Sequence, residues 1–307
     1  MALYLCKKAC ILFLSLFCVL TGTFFIMKCI PGDPFLDERI NEEALRALHA
    51  YYGLDQSLWV QYIKYLKGFF AFDFGLSLIY QGRPVAELIS RAFPVSALLG
   101  LQALIVAVPS GILLGTWAAL KRSGWQDNLA MAISTLGISV PNFVFASLLQ
   151  YFVGLKLHLL PVARWGGFEY TILPTLALAA LPTAFIARLT RSNMVEVLQQ
   201  DFVRTALAKG LPPFTVAIRH GLRNALLPVI SYLGPVSAQI LTGSFVVERI
   251  FAIPGLGDWL IHSIHNRDYP VIMGVTIFYS TLLMIGTFLA DVTYSILDPR
   301  IRRSKHE

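Results

Sequence analysis

The chain has 307 residues, 56% of them hydrophobic and only 14% charged, with a mean hydropathy of +0.65 and a formal charge of +7. A soluble domain carries about 25% charged residues, so lipid is the solvent for most of this chain, and the length leaves room for several crossings but not for a separate catalytic domain. The excess of Lys and Arg does not mark a nucleic-acid partner, because the basic residues fall between apolar runs rather than along one stripe.

Lys7 and Lys8 precede an apolar run from Ala9 to Met27. The arrangement is like a secretory signal, but no small-residue cleavage site follows, so the run reads as an uncleaved first span. Cys6, Cys10, Cys18 and Cys29 all lie in or beside it, without metal-ligand spacing, and read as small hydrophobes. The segment from Pro31 to Arg91 mixes acids with aromatics such as Trp59, Tyr62, Tyr65, Phe69, Phe70 and Phe72. It fits either an amphipathic helix at the membrane interface or a small domain packed on the outer mouth.

Six stretches lack Asp, Glu, Lys and Arg: Ala9 to Met27, Ala92 to Leu120, Asn128 to Leu155, Tyr170 to Ala187, Asn224 to Val247 and Tyr269 to Ala290. Each is near or above the spanning length. The fourth is the weakest, being short and interrupted by Pro174 and Pro182, and is expected to be kinked or partly re-entrant. The expected fold is an all-α membrane protein with six transmembrane helices. Its organisation is a first segment over 1–30, an external segment over 31–91, a five-helix core over 92–294 and a tail over 295–307.

Basic residues in the short loops set the orientation. With the N-terminus inside, Lys7, Lys8, Lys121, Arg122, Arg188, Arg191, Arg204, Lys209, Arg219, Arg223, Arg300, Arg302, Arg303 and Lys305 are cytoplasmic, leaving only Lys156, Arg164, Arg249 and Arg267 in short outer loops. An even number of crossings returns the C-terminus to the cytoplasm.

The segment between the fourth and fifth spans, Arg188 to Arg223, is far longer than the roughly 2 to 8 residues a simple helix connection needs. Asn193 with Glu196 resembles a capping box, and Met194, Leu198, Phe202 and Ala206 recur every four residues, predicting one helix that Gly210, Pro212 and Pro213 stop. A second short helix is expected from Pro213. Thr205, Ala206 and Ala208 are small enough for another surface to come close, and Arg204, Lys209, Arg219 and Arg223 surround them with positive charge. Two readings fit these properties: a docking knob for a cytoplasmic partner, and an amphipathic hairpin on anionic lipid.

The run DFVRTALAKG from Asp201 to Gly210, completed by RHGLRNALLP from Arg219 to Pro228, resembles the EAA loop of binding-protein-dependent ABC importer permeases. Arg204 stands where the general pattern has glutamate, Thr205 and Ala206 where it has two alanines, and Gly210 where it has glycine. The longer string is similar to the oligopeptide, dipeptide and nickel subgroup. So are PGDP from Pro31 to Pro34, FGLS from Phe74 to Ser77 with GRPV from Gly82 to Val85, IPGLG from Ile253 to Gly257, NRDYP from Asn266 to Pro270, and DPR from Asp298 to Arg300.

The resemblance implies a type I importer permease of the bacterial inner membrane, the first of two permeases in a peptide system. It implies as partners a second homologous permease, two cytoplasmic ATPases that hold ATP and Mg, and an extracytoplasmic solute-binding protein. Arg204, Thr205, Ala206, Lys209 and Gly210 would then be the contacts coupling the chain to an ATPase. Importers of nickel or glutathione in the same family, and an ATP-independent carrier or channel, are the alternatives.

No phosphate-cradling GxxxxGK[S/T] string is present, so this chain is expected to carry no cofactor and no enzyme activity of its own. His49, His158, His220, His262, His265 and His306 do not cluster as a zinc site would, although His262 and His265 are spaced to share a helical face. Charge-free spans argue against proton or sodium coupling. Gln102, Asn142, Gln150 and Gln239 are polar groups within the spans, suited either to lining a peptide path or to bonding neighbouring helices.

Overall fold

The computed structural model describes residues 2–30, 35, 42–80 and 82–297. The PGDP and DPR strings and the basic C-terminal tail therefore lie outside the described residues. Fourteen α-helical pieces are described: α1 (Ala2–Cys29), α2 (Glu42–Tyr52), α3 (Leu58–Phe70), α4 (Val85–Leu120), α5 (Trp125–Ser139), α6 (Asn142–Leu149), α7 (Glu169–Val197), α8 (Asp201–Ala208), α9 (Pro213–Thr215), α10 (Arg223–Ala225), α11 (Leu227–Leu241), α12 (Phe245–Ile250), α13 (Leu256–His265) and α14 (Tyr269–Leu297). Among the described residues the β pairing is confined to one isolated bridge, Leu76 to Pro84.

Among the described residues five helical stretches are long and apolar enough to cross a membrane: Cys6–Cys29, Val85–Leu120, Glu169–Val197, Leu227–Ile250 and Tyr269–Leu289. A further pair, Trp125–Ser139 and Asn142–Lys156, passes the same test together but is bent by 104°. Taken as one broken span, the pair raises the candidate crossings among the described residues to six.

The break therefore lies in the third apolar stretch and not in the fourth, where it was expected. Val140 precedes Pro141, whose ring disfavours helical backbone at the preceding residue, and Val140 is extended at φ −84°, ψ 120°. Pro174 and Pro182 are instead absorbed in the continuous 29-residue α7. Over half of its apolar window is buried, with α5, α6, α11 and α12 packed around it. Each proline removes one helical bond, and this enclosure holds the helix together across the gaps.

The chain divides into two compact units, residues 1–95 with 254–284 and residues 96–253 with 285–307. In the first, α3 lies against α1. Phe24 is 2% exposed, with its ring centroid 5.3 Å from Tyr62 and 5.4 Å from Tyr65, while the Thr21 and Tyr62 hydroxyls are 2.8 Å apart. Burial pushes the Tyr65 phenol well above its ordinary pKa, so it stays a donor, here to the Leu20 carbonyl. Tyr65, Leu66 and Phe69 also pack on Leu16, Leu20 and Ile277. Trp59, Phe70 and Phe72 instead face outward, all more than two-thirds exposed.

The strings FGLS and NRDYP, far apart in sequence, meet in this unit. Asp268, fully buried, accepts from the Ser77 hydroxyl and from the Leu78 N–H at 3.1 Å, and the Tyr52 hydroxyl donates to the Ser77 carbonyl at 3.1 Å. Beside them Val85, Leu88, Ile89, Ala92, Leu256, Val271 and Val275 form a buried cluster. IPGLG contributes Leu256 and GRPV contributes Val85.

The second unit is assembled around α7. Gly111 and Gly115, four apart on α4, let that helix approach closely. A Cβ at Gly111 would sit 2.7 Å from the Ile186 Cβ, and one at Gly115 would collide with the Ala187 carbonyl. On the α5 side, Arg191 Nε and Nη2 donate to the two oxygens of Asp127 at 3.1 and 2.8 Å, and Asp127 also accepts from the Ser123 N–H at 3.0 Å. Asp127 is only 3% exposed. The fork satisfies a carboxylate that would otherwise be costly to bury.

Candidate functional site

The stretch from Asn193 to Gly210 folds differently from the one helix its periodicity predicts, being divided between the end of α7 and the separate α8. The α7 helix runs straight through Asn193 to Val197, so Asn193 is not a cap. Its amide donates to the Ala225 carbonyl at 3.3 Å. Met194 is fully buried in a cluster with Ala119, Val197, Ala217 and Ala225, and this packing carries the helix past the point where the capping-box pattern would begin one. The chain then turns at Leu198–Gln200, and α8 starts after Gln200, whose backbone is extended at φ −76°, ψ 154°.

Within α8 a single residue, Val203, is buried. Arg204, Thr205, Lys209 and Gly210 are exposed and Ala206 is half-buried. Arg204 lies 3.7 Å from Asp201 with both side chains more than three-quarters exposed, a pairing too solvated to fix the arginine. Thr205 Oγ1 turns back to the Asp201 carbonyl at 3.0 Å. Both side chains thus remain accessible.

The helix ends in a Schellman turn: Gly210 N–H donates to the Leu207 carbonyl at 2.9 Å and Leu211 N–H to the Ala206 carbonyl at 3.4 Å. Gly210 has φ +84°, and a Cβ there would meet nothing within 4 Å. Conformation, not space, is the reason for glycine. Pro212 then blocks continuation, and Pro213 opens the next short helix, where sequence reasoning places it. From Val216 to Leu222 the backbone is π-helical, with Val216 and Ala217 buried and Arg219 exposed.

A feature missing from the sequence reading is the apolar rim of this bend. Phe202, Leu207, Leu211, Phe214 and Ile218 are between 37% and 68% exposed, so the surface around Gly210 is greasy as well as basic. The proline pair could have signalled it, because Leu211 and Phe214 sit on either side of a break between two short helices. An exposed apolar patch rimmed by charge suits a protein contact.

The four span amides differ in their surroundings. Gln102 accepts from Thr175 Oγ1 at 3.0 Å, and Gln150, the residue after α6, donates to the Val162 carbonyl and to the Ile250 carbonyl at the end of α12 at 3.0 and 2.9 Å. Asn142 is half-buried just past the 104° bend, and Gln239 is exposed on α11. The structure does not bring the four together with the loop. His262 Nδ1 lies 3.0 Å from the Asp258 carbonyl, and among the described residues no three His, Cys, Asp or Glu side chains converge.

Comparison with known proteins extends over nearly the whole chain. Residues 111–303 match the model of the binding-protein-dependent transport system inner membrane component, and residues 1–99 match that of the N-terminal part of the membrane component. The dipeptide transport system permease protein DppB of Bacillus subtilis is 52% identical over 306 residues, 99% of either chain. DppB of Lactococcus lactis is 42% identical, covering 98% of this chain and all of its own, and the oligopeptide transport system permease protein OppB of Escherichia coli K12 is 41% identical, covering 94% and 95%. The relatives are transport subunits and not enzymes, and this multi-pass membrane chain, with several apolar helices long enough to cross a bilayer, belongs to the family of binding-protein-dependent transport system inner membrane components.

Proposed function

We propose that this chain forms half of the translocation pathway of an ATP-driven importer of dipeptides or oligopeptides in the bacterial cytoplasmic membrane. The observation that carries the reading is its end-to-end similarity to dipeptide and oligopeptide permeases. A second homologous permease completes the pathway, two ATPases hydrolyse ATP with Mg, and a solute-binding protein delivers peptide from outside. Both termini lie in the cytoplasm. That orientation puts Arg204, Thr205, Ala206, Lys209 and Gly210 where an ATPase cleft could receive them, and the apolar rim suits such a protein contact. The external segment then faces the binding protein. Gln102, Asn142, Gln150 and Gln239 stand as pathway residues, with Gln239 the most open of the four.

Reconstitution of the complete transporter in proteoliposomes tests this reading. Uptake of labelled dipeptide should require both ATP and the binding protein, and uptake indifferent to ATP would sink it. Gly210→Val should separate docking from insertion. A β-branched residue at φ +84° is strained by at least about 1 to 2 kcal/mol, and the strain falls on the turn alone. Normal membrane levels with uptake near background are expected, and wild-type uptake would remove Gly210 from the coupling role.

A further inference from the structure

Arg188 sits within α7, one turn before Arg191. The two arginines behave differently. Arg191 is held by Asp127 at the start of α5, whereas Arg188 Nη2 donates to Thr135 Oγ1 at 2.9 Å, and Thr135 lies eight residues beyond Asp127 on the same helix, about 12 Å along it at about 1.5 Å per residue. The pairings run in opposite senses, so α5 and α7 are antiparallel, and Arg188 reaches away from the level of the Asp127 pair into the apolar stretch. An arginine near a span end facing lipid extends its head toward the interface. One that extends the other way faces water or an anion.

The surroundings of Arg188 suit a peptide end. It is exposed, and among the described residues its hydrogen-bond partner is the neutral Thr135, leaving the rest of the guanidinium fork open. On α7 the exposed residues Phe185, Arg188 and Ser192 follow a spacing of three and four and share one face. Phe185 stacks on Tyr232 of α11 at 5.7 Å and 27°. Tyr232 is followed at the same spacing by Pro235 and Gln239, both exposed. The Phe185–Tyr232 pair thus joins the α7 face that carries Arg188 to the α11 face that carries Gln239, so the two faces together present a tethered cation, an aromatic pair and an exposed amide. These are donors for a carboxylate, an apolar wall for a side chain and a partner for a peptide group.

We infer that Arg188, braced by Thr135, is a substrate-binding residue that takes the terminal carboxylate of a peptide as it passes along the face formed by Phe185, Tyr232 and Gln239. The inference rests on the peptide-importer reading and deepens it. The competing occupant is a carboxylate of the second permease, in which case Arg188 would serve assembly.

The test uses the complete reconstituted transporter with labelled dialanine and its C-terminal amide, each at a concentration that saturates the binding protein. Loss of one charge-assisted contact should slow dialanine uptake by about tenfold in Arg188→Gln. Amide uptake should change by less than about twofold. Arg188→Lys should restore part of the dialanine rate, and Thr135→Val should reproduce a weaker form of the defect. Equal loss of both peptides, no loss of either, or loss of the second permease from the purified Arg188→Gln complex would each overturn the inference. Failure of the wild-type transporter to import either peptide would overturn the peptide reading itself, and this inference with it.

Discussion

Asp127→Ala is expected to destabilise the chain by about 3 kcal/mol or more, because it strands Arg191 without its bidentate partner and frees the Ser123 N–H that the same carboxylate accepts. Arg191 is 29% exposed at the side chain, so part of the loss is recovered by solvation, and the figure belongs at the low end for a buried pair. The pair ties the turn after α4 to the last turns of α7, the helix that leads through α8 to the Gly210 bend. Thermal unfolding of the detergent-solubilised chain should show a lower midpoint for Asp127→Ala and for Arg191→Ala. The double variant should be less damaged than the sum of the two, since neither charge is then left alone. Strict additivity would show that the two side chains do not interact, and the brace would have to be sought elsewhere.

The second large effect is expected at Asp268. Its two oxygens accept from the Ser77 hydroxyl and the Leu78 N–H, and the Ser77 oxygen in turn accepts from the Tyr80 N–H at 2.8 Å. Asp268→Ala leaves two buried donors unmet, at about 1 to 3 kcal/mol each. Asp268→Asn keeps one accepting oxygen and should be milder. Because the clasp closes the 74–85 strings onto the start of α14, the loss should be local. Limited proteolysis of solubilised protein is expected to cut Asp268→Ala between α3 and α4 at least about tenfold faster than wild type, with the second unit unaffected. Equal protease resistance would mean that the Val85 and Leu256 cluster holds this region without the carboxylate.

The apolar stretches were legible because each is a property of consecutive residues, and the basic loops between them are equally local. Gly210 and the proline pair were legible for the same reason. Backbone constraints at Gly and Pro act within a few residues, and the Schellman turn at Gly210 and the helix start at Pro213 follow the reading from sequence. The position of the break was not legible. Pro141 and Pro174 look alike in sequence, and only the packing around α7 decides that one bends its span by 104° while the other is carried within a continuous helix. Asn193 failed as a cap on the same grounds: burial of Met194 against Ala119 and Ala225 outweighs a local capping pattern.

The short strings that carried the family resemblance show the division of labour most clearly. Sequence gave their order along the chain but no reason for any of them. In the structure FGLS and NRDYP become two halves of one buried hydrogen-bonded clasp, and GRPV and IPGLG supply Val85 and Leu256 to the cluster beside it. Composition and local pattern set the solvent, the apolar stretches and the turn chemistry of the loop, because hydrophobic length, charge and backbone restriction are local. Packing alone settles which prolines break a helix, which amides are already bonded and which arginine is left reaching into the span. Those outcomes depend on what distant residues place opposite each group.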